Sequence, residues 1–208
     1  MKKTPLYAFG KVAAQPVVWP FIPYTVKGRE NIPQDENFIL CANHMGISDP
    51  LRLACIEKRQ IYFMSKAELF QNKALAWLLL SLGCVPVQRG RGDMGAIDHA
   101  GEVLKRGDIL GVFIEGTRSK TGELGQPKAG AVMLAYQHKK PILPVCLTPV
   151  GSKLPRMFHR VVVSYGSLIQ PEELGIQEGK GSEYRNASRL VMSKIAALRE
   201  RDLKEMEA

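Results

Sequence analysis

What most constrains the fold of this chain is a rhythm. Six short apolar runs, at residues 38–43 (FILCAN), 60–65 (QIYFMS), 84–88 (CVPVQ), 109–115 (ILGVFIE), 141–148 (PILPVCLT) and 161–165 (VVVSY), are interleaved with helix-patterned stretches at 50–57, 74–82, 94–105 and 129–138. The runs are rich in β-branched residues and largely do not alternate with polar ones, as strands buried on both faces do not. Strands alternating with helices predict an α/β fold, a layered αβα domain on a mainly parallel sheet of about six or more strands. In such sheets ligands sit beyond the carboxyl ends of the strands, so the polar residues just after each run are the first place to look for a site.

A length of 208 residues suits one domain. We assign it to residues 31–208, closed by an amphipathic helix at 182–206 with Leu190, Ile195 and Leu198 on one side. Residues 1–30 stand apart, because PVVWPFIPY is apolar and aromatic but broken by prolines. That segment either lies at a membrane interface, with Trp19, Phe21 and Tyr24 in the headgroup layer, or packs on the domain's own core. The longest charge-free stretches, 12–26 and 74–88, have 15 residues each, short of the ~20 that a spanning helix needs. The basic start, MKKTPLYAFGK, lacks the continuous apolar region of a signal peptide. Cys41, Cys55, Cys84 and Cys146 are widely spaced in apolar surroundings with no CxxC pair, which reads as buried thiols of a reducing compartment.

Charge narrows the partners. Lys plus Arg number 29 against 20 Asp plus Glu, a net +9 that favours an anionic partner. The charge is spread along the chain and no nucleic-acid-binding signature accompanies it, so nucleic acid is not expected as a partner.

After the first run comes Asn43-His44-Met45-Gly46-Ile47-Ser48-Asp49-Pro50. Ser or Asp before Pro opens a helix well. His44 lies five residues before Asp49, across the turn. The carboxylate can fold back to one imidazole nitrogen while the other faces a cleft, the arrangement of a general base. Asp49 can equally be a plain helix cap, and His44 a plain loop residue. A Ser-His-Asp hydrolase would need a GxSxG elbow, which the chain lacks. The remaining histidines, His99, His138 and His159, show no metal-binding spacing, so no metal site is expected. Without a placed nucleophile, the dyad suits direct attack by a substrate hydroxyl, with no covalent intermediate.

Phosphate-seeking groups follow the other runs. Phe113-Ile114-Glu115-Gly116-Thr117-Arg118-Ser119 carries a glycine turn, hydroxyls and a guanidinium whose fork suits phosphate. Glu115 could accept hydrogen bonds from substrate hydroxyls. Arg89 and Arg91 sit among glycines after the third run, and Lys66 follows the second. Lys128 opens a helix whose N-terminus favours an anion. Each of these, alone, can be an ordinary surface residue. Together they converge on one edge of a parallel sheet.

Their order resembles that of the glycerolipid acyltransferase family, and within it the bacterial 1-acylglycerol-3-phosphate acyltransferases. NHMGISDP matches the family's NHxxxxD motif through Asn43, His44 and Asp49; VQRG matches the second motif, with Arg89 in the arginine position. FIEGTRS matches the third through Glu115, Gly116, Thr117, Arg118 and Ser119, and ILPVCLT resembles the fourth, with Pro144 in its proline position. The likeness runs in order over about residues 25–170. Many relatives carry transmembrane helices ahead of the domain, and none is evident here.

The resemblance implies acyl transfer from a thioester, acyl-CoA or acyl-carrier protein, to the sn-2 hydroxyl of lysophosphatidic acid, giving phosphatidic acid. On that reading His44 is the base and Asp49 orients it. Lys66, Arg89 and Arg118 hold the acceptor's phosphate, and Glu115, Gly116 and Thr117 serve the glycerol portion. No metal and no cofactor is expected beyond the thioester co-substrate. The expected partners are a lysophospholipid, the acyl donor and an anionic membrane surface, with the protein cytoplasmic and peripheral on the inner face of the cell membrane. Two alternatives stay open: an enzyme acylating glycerol 3-phosphate or another lysolipid, and a non-catalytic phospholipid-binding module. The run LLLSLG at 78–83 is either part of an acyl-chain groove or a buried core helix.

Overall fold

The computed structural model of the chain describes residues 20–81, 83–87 and 94–208. Seven strands form one sheet: β1 (Tyr24–Lys27), β2 (Ile39–Ala42), β3 (Ile61–Lys66), β4 (Val85–Val87), β5 (Ile109–Phe113), β6 (Ile142–Pro149) and β7 (Val161–Tyr165). Their order is β1-β7-β6-β2-β5-β3-β4. All neighbours run parallel except β6 and β7, which are antiparallel. β2, β6 and β7 are buried along their whole length, which explains why their sequences do not alternate.

The helices are α1 (Asp49–Ile56), α2 (Lys73–Ser81), α3 (Met94–Lys105), α4 (Gly130–His138) and α5 (Gly181–Glu207). They cover both faces. On one face Ala100, Val103 and Leu104 of α3, Val132 and Ala135 of α4, and Val191, Ile195 and Leu198 of α5 pack with Ile39, Cys41 and Cys146. On the other, Leu53 and Ile56 of α1 pack with Phe38, Leu40, Ile61, Leu143 and Val163. The strand register puts successive side chains on opposite faces, so adjacent residues such as Ile39 and Leu40 feed different cores. Leu190, expected on the buried side of the last helix, is only half-buried.

One strand was not legible in the sequence. β1 lies inside the stretch read as standing apart, and pairs in parallel with β7, Tyr24 opposite Val161 and Lys27 opposite Ser164. Tyr24 packs against the core of the α1 face, so it belongs to the sheet rather than to a headgroup layer. Trp19 lies outside the described residues. Nor is α2 a buried core helix: Trp77 and Leu80 are 64% and 56% exposed. No helix among the described residues is long and apolar enough to cross a membrane.

The topology decides where the site can form. β2 is hydrogen-bonded to β5 on one side and to β6 on the other, all parallel. The loops after β2 and β5 therefore leave the same edge side by side, although 71 residues separate His44 from Glu115. The loop from β6 to β7 turns over at that same edge. So does the lead into β1, since β1 starts opposite the start of β7.

Candidate active site

The loop after β2 is built by its own polar groups. Asn43, fully buried, donates to the Leu147 carbonyl at 3.0 Å and accepts the Leu147 N–H at 2.7 Å, clamping the end of β2 to β6. The chain then turns sharply into α1. Ser48 makes no side-chain cap; its Oγ instead accepts from Arg52 Nη1 at 2.5 Å. The Asp49 carboxylate points backwards, with Oδ2 accepting the N–H of Met45 at 2.7 Å and of Gly46 at 2.6 Å. That same oxygen lies 3.0 Å from His44 Nδ1. Asp49 is thus more than a helix cap. It holds the turn that carries His44 and touches the ring itself.

The imidazole is fixed from below as well. Its ring stacks on Phe113, with centroids 3.9 Å apart and planes at 16°, and Phe113 stacks in turn on Phe63 at 5.8 Å. Gly111 makes room for this pile, since a Cβ there would lie 2.5 Å from Phe63 Cδ1. Asp49 is fully buried while the His44 side chain keeps 13% of its surface exposed. With Nδ1 engaged by the carboxylate, Nε2 is the ring nitrogen left for another partner.

The loop after β5 meets this turn. Glu115 Oε1 accepts the His44 N–H at 3.2 Å and Oε2 accepts the Gly125 N–H at 3.2 Å. The Ser119 N–H reaches the His44 carbonyl at 2.8 Å. Burial raises the Glu115 carboxyl above its ordinary value, against the opposing pull of the His44 and Gly125 N–H groups. At 4% exposure, with each oxygen on a backbone N–H, Glu115 is a strut between two loops. Gly116 takes a left-handed φ of 69° in the turn, and its N–H is spent on the Phe113 carbonyl at 2.9 Å. Its service is the turn itself. Thr117 and Arg118 follow it, both exposed and both leaving the edge where His44 sits.

The other expected contacts divide. Lys66 ends β3, at the same edge as His44, and its side chain lies outside the described residues. Arg89 also lies outside them, although β4, which leads to it, stands next to β3. Pro144 sits inside β6, its carbonyl accepting the Gly166 N–H at 2.9 Å, so it serves the sheet and not the site.

Arg52 was missed in the sequence. It is wholly buried, with Nη1 3.7 Å from Asp49 Oδ1. Burial lowers its guanidinium from the ordinary value, partly offset by the Asp49 carboxylate. Its position carried a clue: residues 49, 52, 53 and 56 form the inward stripe of α1, where an arginine is out of place.

Residues 23–148, more than half of the chain, match the model of the family described as Acyltransferase. The chain is 38% identical to the 1-acyl-sn-glycerol-3-phosphate acyltransferase of Bacillus subtilis, over 57% of this chain and 59% of that one. It is 34% identical to the Streptococcus pneumoniae protein of the same description, over 74% of this chain and 58% of that one. The chain thus spans little more than half the length of these relatives. Its fold superposes on the crystal structure of the 1-acyl-sn-glycerophosphate (LPA) acyltransferase of Thermotoga maritima with a TM-score of 0.70 at 28% identity, covering 98% of this chain and 78% of that one.

Proposed function

This chain belongs to the Acyltransferase family, and from that premise we propose that it moves a fatty acyl group from a thioester, acyl-CoA or acyl-carrier protein, to the sn-2 hydroxyl of lysophosphatidic acid. The product is phosphatidic acid. The observation that carries this reading is the 3.0 Å contact between His44 Nδ1 and buried Asp49, on a side chain that keeps 13% of its surface exposed.

Asp49 accepts the Nδ1 proton of His44 and fixes the tautomer. Nε2 takes the proton of the acceptor's hydroxyl as that oxygen bonds to the thioester carbonyl carbon. The tetrahedral intermediate collapses, the C–S bond breaks, and the imidazolium is available to protonate the leaving thiolate. The histidine ends as it began, without an acyl-enzyme and without a metal or redox cofactor. Arg118 supplies a guanidinium for the acceptor's phosphate, assisted by Lys66 and Arg89 and by the Thr117 hydroxyl, and so positions the hydroxyl at Nε2. Exposed Trp77 and Leu80 on α2 offer apolar surface to the acyl chain.

A lipid acceptor is reached from a membrane surface, and the site's edge suits one. Phe21, Ile47, Met157 and Phe158 are 45%, 81%, 63% and 63% exposed, and the rings of Phe21 and Phe158 lie 5.4 Å apart. Phe158 adopts a left-handed φ of 66°, unusual for a bulky residue. Exposed Lys153, Arg156 and Arg160 surround this apolar tip, and Pro155 packs on Gly46 of the His44 turn. Basic charge around apolar residues fits an anionic lipid surface, on the inner face of the cell membrane.

The decisive experiment follows thiol release with one acyl-CoA and one acyl-carrier protein against a panel of lysolipids and glycerol 3-phosphate. Lysophosphatidic acid is the expected preferred acceptor. His44→Ala is expected to fold and to lose at least ~100-fold in turnover, the low end for loss of a general base. Near-normal turnover in that variant removes the dyad from the reaction. Thiol release with no acceptor preference for lysophosphatidic acid removes the substrate assignment.

A further inference from the structure

The two oxygens of Asp49 keep unequal company. Oδ2 serves the Met45 and Gly46 N–H groups and the His44 ring. Oδ1 accepts no hydrogen bond, and the charge facing it is Arg52 Nη1 at 3.7 Å. Arg52 is itself fully buried, and its Nε and Nη2 have no hydrogen-bond partner. Burying a guanidinium with unpaired N–H groups is costly, and an apolar side chain at this position on the inward stripe of α1 would avoid the cost. The position therefore uses the charge.

We propose that Arg52 is a positioning residue that sets the resting charge of the dyad, balancing the Asp49 anion so that His44 stays neutral and ready to accept a proton. The inference rests on the reading of His44 as the base. Its physics is a contest for one buried carboxylate. Asp49 is served by a nearby cation, and among the described residues two groups beside it can supply one: a guanidinium, which is always charged, or an imidazole that has already taken a proton and so can no longer act as a base. With Arg52 present the first need is met. Without it, the anion draws a proton onto His44 from water. Two other charged residues belong to the loop that meets the His44 backbone: Glu115 accepts the His44 N–H, and Arg118 precedes Ser119, whose N–H binds the His44 carbonyl. Neither contacts the Asp49 carboxylate, so neither can replace Arg52.

The test is the pH profile of kcat/KM, by thiol release from acyl-CoA with lysophosphatidic acid, for the wild type, Arg52→Met, Arg52→Lys and His44→Ala. Arg52→Met is expected to move the acid limb up by about one pH unit, the size of effect a nearby charge has at an effective dielectric of about 20. Activity well below the limb then falls about tenfold, and much of the deficit is recovered above it. Arg52→Lys keeps a cation and keeps the wild-type limb. A uniform loss in Arg52→Met at every pH, with the limb unmoved, overturns the proposal and leaves Arg52 a packing residue. If Arg52→Met does not fold, labelled-histidine NMR on the wild type decides instead. His44 is expected as the neutral tautomer with its proton on Nδ1 at pH 7.5, and imidazolium there overturns the proposal. His44→Ala separates the two claims. Full activity in it defeats the base assignment, whereas an inactive His44→Ala beside an unshifted Arg52→Met defeats the role of Arg52 alone.

Discussion

Two aspartates in this molecule are equally buried and do different work. Asp202, on the last helix, is wholly shielded, accepts the Ser164 hydroxyl at 2.8 Å and the Thr148 hydroxyl at 3.1 Å, and lies 3.4 Å from Lys27 Nζ. Its partners come from β7, β6 and β1, so one carboxylate ties α5 to three strands. Asp49 is as deeply buried, yet one oxygen lacks any hydrogen bond and the other shares itself with a ring that reaches solvent. A carboxylate saturated by fixed donors stabilises a structure. One left partly unsatisfied, and joined to a titratable ring, is on the proposed reading placed for proton transfer. Burial alone does not distinguish the two; the identity of the partners does.

Substitutions can break that contrast. The largest expected effect is at the site: Asp49→Asn should cut turnover by ~100-fold or more, because an amide cannot accept the Nδ1 proton and also support an imidazolium. Steady-state kinetics on a variant with native circular dichroism checks it. Asp202→Ala should do the reverse, costing about 3 kcal/mol in denaturant unfolding through the loss of two buried hydroxyl bonds and a charge contact, while the folded fraction keeps its turnover. A large loss of turnover in the folded Asp202 variant would erase the distinction.

A smaller effect is expected at Glu115, which sharpens the comparison because both of its oxygens hold backbone N–H groups yet it borders the site. Glu115→Gln keeps one acceptor for two N–H groups and should lower turnover about tenfold by loosening the His44 turn. It should also alter the pH dependence of stability. A carboxyl raised by burial binds its proton more tightly in the folded state than in the unfolded one. Its contribution to stability is therefore most favourable below its unfolded value and declines as pH rises through the raised folded value. The stability of the wild type relative to Glu115→Gln should accordingly fall as pH rises above the ordinary carboxyl range of about 4, read from urea midpoints at a series of pH values. The smallest effect belongs to Lys27→Ala. The Lys27 side chain is 29% exposed and pairs with Asp202 and Glu205, so its loss should cost less than about 1 kcal/mol and leave turnover untouched.

The central strands and helices were legible in the sequence because each is locally self-consistent. β7 falls on residues 161–165 and α3 on 94–105, where composition and periodicity place them. β1 was hidden for the opposite reason. YTVK is four residues behind a run of prolines, and nothing local makes it a strand until β7, some 137 residues later, offers an edge. The bracing role of Glu115 was not legible either, since no local rule says that its oxygens will find the N–H groups of residues 44 and 125.

By itself, then, the sequence determined the parallel αβα layering, the edge at which a site would lie, and a five-residue spacing that lets Asp49 fold back to His44. Those follow from periodicity and from spacings short enough for the chain to close on itself. Only the tertiary structure decided that Phe113 lies beneath the imidazole, that Glu115 is a strut, and that a buried guanidinium stands behind Asp49. Each of these depends on which strands become neighbours and which helix face turns inward. Sheet order and packing settle that across long stretches of chain, and no local propensity encodes it.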